Sequence, residues 1–202
     1  MNLLFVDCEA TGLDRDKDRA IEIAGVLYSV EHRCVLQHVS TVLDPGTATY
    51  GCEHIHGIPE SALMVFSDDN DEHYQVSDSL VLWFEHVGRF ADYVVAYNAD
   101  FDKAFFKHLN LLQSCAWLDA MQLPWQHHKA QPSLIELCVA YGVPIVRAHR
   151  ALDDCQLLSE LIGQLPDIDA AIAYALQPNV TIKALVGYGN RQLAKDAGFA
   201  WD

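Results

Sequence analysis

Hydrophobic positions along the first 45 residues come in short blocks. Asn2 to Val6 is apolar and stops at Asp7. Ala20 to Tyr28 (AIEIAGVLY) alternates and is rich in β-branched residues, and Val35 to Leu43 does the same before the turn signal Asp44-Pro45-Gly46. These blocks predict three consecutive strands. A loop-rich stretch containing CEHIHGIPESAL follows, and the acidic cluster Ser67 to Glu72 reads as a solvated loop. Ser77 or Asp78 then caps a helix that places Leu80, Val81, Phe84 and Val87 on one side. Tyr93 to Tyr97 is a fourth strand, Asp102 to Leu112 a helix with Phe105, Phe106 and Leu109 spaced for burial, and Cys115 to Leu118 a short fifth strand. Ser133 caps a helix that ends at Gly142, and Ala151 to Ile162 is a further helix stopped near Pro166. Beyond it the pattern predicts a helix over Ile168 to Leu176 broken by Pro178, a strand over Val180 to Val186, and a short helix over Arg191 to Ala197 with Gly198 at its end. Three strands followed by alternating helices and strands predict an α/β layer structure with a mixed sheet.

The chain has 202 residues, which suits one domain and a small appendage. No apolar run approaches the ~20 residues that span a bilayer. The start, MNLLFVDCEATGL, lacks a basic leader and a small-residue cleavage site. These features predict a cytoplasmic protein with no membrane partner. The six cysteines are scattered, without a C-x-x-C pair, so buried free thiols are expected rather than a zinc site or disulfide framework. A net charge of −15 argues against a high-affinity DNA clamp or repressor, whose binding rests on neutralising phosphates. It leaves room for an enzyme that holds a few nucleotides through metal ions, on short or single-stranded substrates.

Three constellations carry chemistry. Asp7 and Glu9 flank Cys8 at the end of the first strand, so they share a face, roughly 6.5–7 Å apart. Two carboxylates on one face of a central strand are costly unless a cation compensates, and hard oxygen ligands suit magnesium or manganese. Thr11-Gly12 then turns the chain away. Asn98-Ala99-Asp100-Phe101-Asp102 sits at a strand-to-helix junction, where open sheets place ligand sites. Asp102 in the first turn also suits the helix macrodipole, and Asp100 competes with it for a ligand role. His149 and Asp154 would lie about 140° apart on a continuous helix. They converge only if His149 lies on the loop entering the helix and Asp154 in its early turns, with Asp153 looking elsewhere.

Together these segments resemble the DEDDh (DnaQ-like) 3′→5′ exonuclease superfamily, which includes proofreading epsilon subunits, RNase T and exonuclease X. DCEATGL matches its D-x-E-T/S-T-G-L motif with one departure, Ala10. NADFD matches N-x-x-F-D and selects Asp102; HRALDD matches H-x-A-x-x-D and selects Asp154. IHGIP and SLIELC also fit, over about residues 1 to 165. The resemblance implies an RNase H-like fold with a five-stranded mixed sheet. It implies that Asp7, Glu9, Asp102 and Asp154 bind two divalent cations, Mg2+ or Mn2+, and that His149 is the general base. A histidine suits that role near neutral pH. The substrate would be the 3′ end of single-stranded DNA or RNA, with DNA favoured, and the product a nucleoside 5′-monophosphate.

The resemblance further implies that Thr11 and Leu13 line the terminal nucleotide, that backbone amides near Ala10 to Gly12 touch its 3′ hydroxyl, and that His56 and Ile58 contact base or sugar. Asn98 joins this substrate-binding set. For Leu13 and Ile58, core packing is the equal alternative. Lys103, Lys107, Arg147 and Arg150 lie near the motifs and are candidates for phosphate contacts or for a solvated face. Residues 166–202 read as a helical linker and small accessory segment. Its A-K-x-x-G-F-x-W pattern resembles a module on bacterial and phage nucleic-acid enzymes; the pattern ends just after Trp201, as a truncated copy would. Docking of this tail on the nuclease domain through Phe199 and Trp201 is favoured. Rival readings are an RNA-end trimming enzyme or oligoribonuclease, and a catalytically silent binding module. A polymerase or repair partner and a homodimer are open partner expectations.

Overall fold

Strand β1 (Asn2–Ala10) is the axis of the molecule. Its alternation puts Leu4, Val6, Cys8 and Ala10 on one face of the sheet and Leu3 and Phe5 on the other. The structure, a computed structural model, describes residues 1–46, 48–63, 76–178, 183–197 and 199. β2 (Ala20–Ser29) pairs antiparallel with β1, and β3 (Cys34–Val42) antiparallel with β2. β4 (Tyr93–Ala96) runs parallel to β1, and β5 (Trp117–Asp119) parallel to β4. The result is a five-stranded mixed sheet in the order β3-β2-β1-β4-β5.

The strands differ from the expected bounds where tertiary pairing decides. β1 continues past Val6 because β2 supplies a partner as far as Ala20. The fifth strand is Trp117–Asp119 rather than Cys115 to Leu118. The loop-rich stretch contains two single-turn helices, α1 (Glu53–His56) and α2 (Glu60–Leu63).

Both faces of the sheet are covered. Helix α3 (Asp78–Gly88) buries Leu80, Phe84 and Val87 against the face that carries Cys8, together with Phe105 and Phe106 of α4 (Ala99–His108). Helix α4 starts at Ala99, three residues earlier than expected. Helix α6 (Ala151–Gly163) covers the opposite face with Ala151, Cys155, Leu158 and Ile162. Helix α5 (Leu134–Tyr141) packs beside α6 through Leu137 and Cys138. Its ends are those that the sequence predicts: Ser133 and Glu136 close a reciprocal capping box, and Gly142 ends the helix at φ 72.

Helix α7 (Ile168–Ala175) inserts Ile168, Ala171 and Ile172 into the core beneath α6. Residues 183–187 form no strand, and the remainder of the expected strand Val180 to Val186 lies outside the described residues. A short 3-10 turn and α8 (Arg191–Asp196) follow, with Leu185, Tyr188 and Leu193 exposed. The acidic run Ser67 to Glu72, Gly198 and Trp201 also lie outside the described residues. All six cysteines are free; Cys8, Cys138 and Cys155 are buried as expected, but Cys34 is exposed on β3 and Cys52 and Cys115 are only partly buried. No helix among the described residues is long and apolar enough to cross a membrane.

Candidate active site

β1 has an antiparallel neighbour on one side and a parallel neighbour on the other, and open sheets place ligand sites beyond the carboxyl ends of such strands. Asp7 and Glu9 continue the Leu3–Phe5 face of the strand, so they look toward α6. The first turn of α6 supplies Asp154. One carboxylate oxygen from each of Asp7, Glu9 and Asp154 lies within 4.8 Å of the others. Asp154 is the inward partner of the Asp-Asp pair. Asp153 turns outward to Arg147, with 3.6 Å between carboxylate and guanidinium nitrogen.

Asp102 arrives from the other side. β4 pairs with β1 only over Leu3 to Phe5, which leaves the next stretch of β1 without a strand neighbour on that side. Asp102, 2% exposed, fills the gap by accepting the Cys8 N–H at 2.9 Å. Asp100 is exposed, whereas Asp102 is buried against β1. Asn98 makes the corner that aims α4 at the site. It is in the left-handed region at φ 69, and its N–H donates to Asp119 Oδ1 at 3.0 Å. Asp119 was not singled out by sequence reasoning; a polar residue closing a short strand carries no distinctive signal.

His149 lies on the loop before α6, also left-handed at φ 60, and is exposed. Its N–H donates to Asp154 Oδ1 at 3.3 Å. The condition for convergence of His149 with Asp154 is therefore met: one is on the loop, the other in the helix.

The electrostatics are those of buried carboxylates crowded together. Burial, then repulsion from Asp102 and Asp154, pushes Asp7 well above the usual carboxylate range. Burial and Asp154 push Glu9 up to about 8, against a lowering influence of Arg150. Burial raises Asp102 to about 7 and Asp154 to about 6, opposed by the Cys8 hydrogen bonds and by His149 respectively. Four crowded carboxylates whose charged forms are disfavoured are a donor set for hard divalent cations. The residues present fit that group.

A further buried carboxylate, Glu22, escaped sequence reasoning. It faces Glu9 across the β1–β2 ladder and is 3% exposed. In AIEIAGVLY it reads as an ordinary polar position of an alternating strand. Its partner is Arg150, which donates from Nε at 2.9 Å and from a terminal nitrogen at 2.8 Å. Arg150 is thus committed within the protein and is not a free phosphate contact. Lys103 lies over the Trp117 ring at 6.0 Å from its centre.

The expected substrate-binding residues divide. Leu13 is 79% exposed on the loop after β1 and is open to a ligand, which removes the core alternative for it. Ile58 takes that alternative and is buried with Ile21 and Leu63. Ala10 is also buried, on the α3–α4 face, so the departure from the family motif falls in the core. The Thr11 hydroxyl donates to Asp18 Oδ1 and accepts the Arg19 N–H, each at 3.0 Å. A Cβ on Gly12 would run into the Asp18 carboxylate, so any larger residue there would push that side chain off the Thr11 hydroxyl. His56 is 4% exposed; Nδ1 accepts the Ile58 N–H at 3.1 Å and Nε2 lies 3.3 Å from the Gly51 carbonyl. Both its nitrogens serve the scaffold.

Residues 4–162 match the family described as RNase T exonuclease. No curated protein matches. Among solved structures, the chain is similar to exonuclease X in complex with 5′ overhanging duplex DNA, with 22% identity, a TM-score of 0.56, and 85% of this chain and 97% of that one covered. It is also similar to the nuclease domain of 3′hExo, described as a DEDDh family member bound to rAMP, with 15% identity, TM-score 0.64, and 81% and 90% covered. Cell-death related nuclease 4 matches with 19% identity and TM-score 0.60 over 81% of this chain, which spans 62% of that nuclease's length. At these identities the likeness is one of fold, and the fold is RNase H-like.

Proposed function

The chain belongs to the RNase T exonuclease family, and on that premise we propose that it shortens single-stranded nucleic acid from the 3′ end, DNA being favoured, and releases nucleoside 5′-monophosphates. The observation that carries this reading is the convergence of Asp7, Glu9 and Asp154 within 4.8 Å, with Asp102 buried against the same strand. Asp7, Glu9, Asp102 and Asp154 would hold two divalent cations, Mg2+ or Mn2+. When bound, such ions supply positive charge at the scissile phosphate, for the attacking and leaving oxygens alike.

The chain's own groups do the rest. Water attacks the phosphorus of the terminal nucleotide, and the bond to the 3′ oxygen of the preceding nucleotide breaks. His149 takes the proton of that water on its imidazole; the leaving 3′ oxygen is protonated from solvent. Exposure of His149 on a loop fixed to Asp154 gives it access to the site and a defined origin. Leu13 offers an apolar surface to the terminal base, and the Ala10 and Gly12 ends of the next turn approach the 3′ hydroxyl; the Thr11 amide between them is taken by the Arg19 carbonyl at 2.9 Å. Asn98 orders the corner beneath it. His56, Ile58 and Thr11 act through the loops they brace. Residues 1–165 form the nuclease domain, and 166–202 an appendage whose first helix is docked on it. No part of the reading requires a membrane, and it places the protein in the cytoplasm.

Exonuclease X, described with duplex DNA bearing a 5′ overhang, supports DNA. 3′hExo, described with rAMP, keeps RNA as the second reading. The test is digestion of 5′-labelled single-stranded DNA and RNA of one sequence, in Mg2+, Mn2+ or EDTA, beside Asp154→Ala and His149→Ala. A ladder shortening from the 3′ end, lost in EDTA and in both variants, is expected. Intact substrate with the wild-type protein in either metal would leave a binding module as the better reading.

A further inference from the structure

Glu22 is a carboxylate at the edge of an acidic site, yet its geometry is that of a clamp. Oε2 accepts from Arg150 Nε at 2.9 Å and from the Ala151 N–H at 3.1 Å; Oε1 accepts from the second Arg150 nitrogen at 2.8 Å and from the Ser40 hydroxyl at 3.3 Å. Four donors occupy its two oxygens, which leaves little capacity for a metal ion. The site it grips is the least self-sufficient turn of α6. Arg150 is the N-cap residue and makes no side-chain cap, so the first amide of the helix lacks a partner within its own segment. Glu22 supplies that partner from β2, with a negative charge where the helix dipole favours one.

Two proposed functional residues hang from this clamp. His149 immediately precedes Arg150 and adopts a left-handed conformation that a histidine does not hold for free. The Asp154 N–H donates to the Arg150 carbonyl at 2.9 Å, and the His149 N–H returns to the Asp154 carboxylate. Fixing Arg150 therefore fixes the origin of both side chains relative to β2, and through the β1–β2 ladder relative to Asp7 and Glu9. We infer that Glu22 and Arg150 are a positioning pair, which holds His149 and Asp154 in register with the carboxylates of β1. Neither residue touches the reacting atoms. The kinetic consequence rests on the nuclease reading, and the structural consequence stands apart from it.

The test uses the full chain with Glu22→Gln, which keeps the shape but turns an amide N–H toward its donors, and Arg150→Lys, which keeps the charge but loses the two-pronged fork. Both variants should lower kcat roughly 10- to 100-fold while KM stays within about threefold, as expected for misplacement of reacting groups rather than lost substrate binding. In EDTA, amide hydrogen exchange should accelerate over residues 149–155 in both, while peptides from β1 and β4 keep wild-type protection. The double variant Glu22→Gln/Arg150→Lys should be no slower than the worse single one, because both act through one contact. Wild-type kcat in Arg150→Lys, or unchanged exchange over 149–155, would overturn the pairing. Exchange that rises equally across the sheet would also overturn it, since it would assign the pair a purely global role. If the wild-type protein cleaves nothing, the nuclease reading fails, and the exchange result alone decides whether the clamp exists.

Discussion

Leu13 stays open to the role that the family motif would give it, whereas His56 is taken up by the scaffold. His56 is engaged through both ring nitrogens, to Ile58 and Gly51, and packs edge-on to Tyr50 at 6.0 Å between ring centres. It shapes the loop that lies against Thr11. Leu13 has no such cover. An exposed leucine just beyond the strand that carries Asp7 and Glu9 is free to meet the face of a base, a contact worth about 1–3 kcal/mol when made by a stacking side chain and less for an aliphatic one. Leu13→Ala should therefore raise KM for single-stranded substrate about three- to tenfold, with kcat close to wild type. Steady-state digestion of a labelled oligonucleotide checks this, and an unchanged KM would remove Leu13 from the substrate path. The chemistry-bearing types were legible at this scale, because carboxylates at strand and helix ends are conspicuous. Which side chains face solvent was not: the direction of Thr11, His56 and Leu13 depends on Asp18, Gly51 and Tyr50, residues with no pattern of their own.

Elements with local signals came out as the sequence predicts. Helix α5 carries its capping box and terminal glycine within ten residues, so its bounds need no tertiary information. The start of α4 needed it. Asn98 holds a left-handed corner because Asp119, at the end of β5, takes its N–H and that of Met121, each at 3.0 Å. The expected strand over Val180 to Val186 shows the reverse error: β propensity without a sheet edge to join leaves residues 183–187 irregular. Glu22 was invisible for a similar reason, since its partner lies 128 residues away. The corner at Asn98 makes a prediction at this scale. Asp119→Ala deprives two amides of their acceptor and loosens the first turn of α4, where Asp102 sits. It should cost about 1–2 kcal/mol of stability and lower kcat about tenfold or more. Urea unfolding monitored beside activity would show both; a stable protein of full activity would mean that α4 is placed by its packing alone.

At the scale of the molecule, the site sets stability against function. The chain carries a net charge of −15 and concentrates four carboxylates at one end of its sheet. Burial, with repulsion from Asp154, raises Glu9 from 4.5 to about 8; burial raises Asp102 from 3.8 to about 7, helped by Asp119, and Asp154 from 3.8 to about 6, helped by Asp153 and Glu22. A carboxyl group whose folded value is raised binds its proton more tightly in the folded state. Its stabilising contribution is full near pH 4 and is lost as pH rises through 6 to 8. In EDTA the melting temperature should therefore fall between pH 5 and pH 8. Mg2+ or Mn2+ should restore it at pH 8, because ions that bind only the folded state stabilise by mass action. Asp154→Asn removes one of the opposing charges. It should abolish cleavage yet exceed the wild type in stability by about 1–3 kcal/mol in EDTA at pH 8. That advantage should shrink toward pH 5, where the wild-type carboxyl is itself protonated, and the metal-induced rise should be smaller in the variant than in the wild type. A wild-type melting temperature that is flat from pH 5 to 8 and indifferent to divalent cations would mean that the carboxylates are not held in mutual repulsion, and would remove the physical reason for a metal at this site.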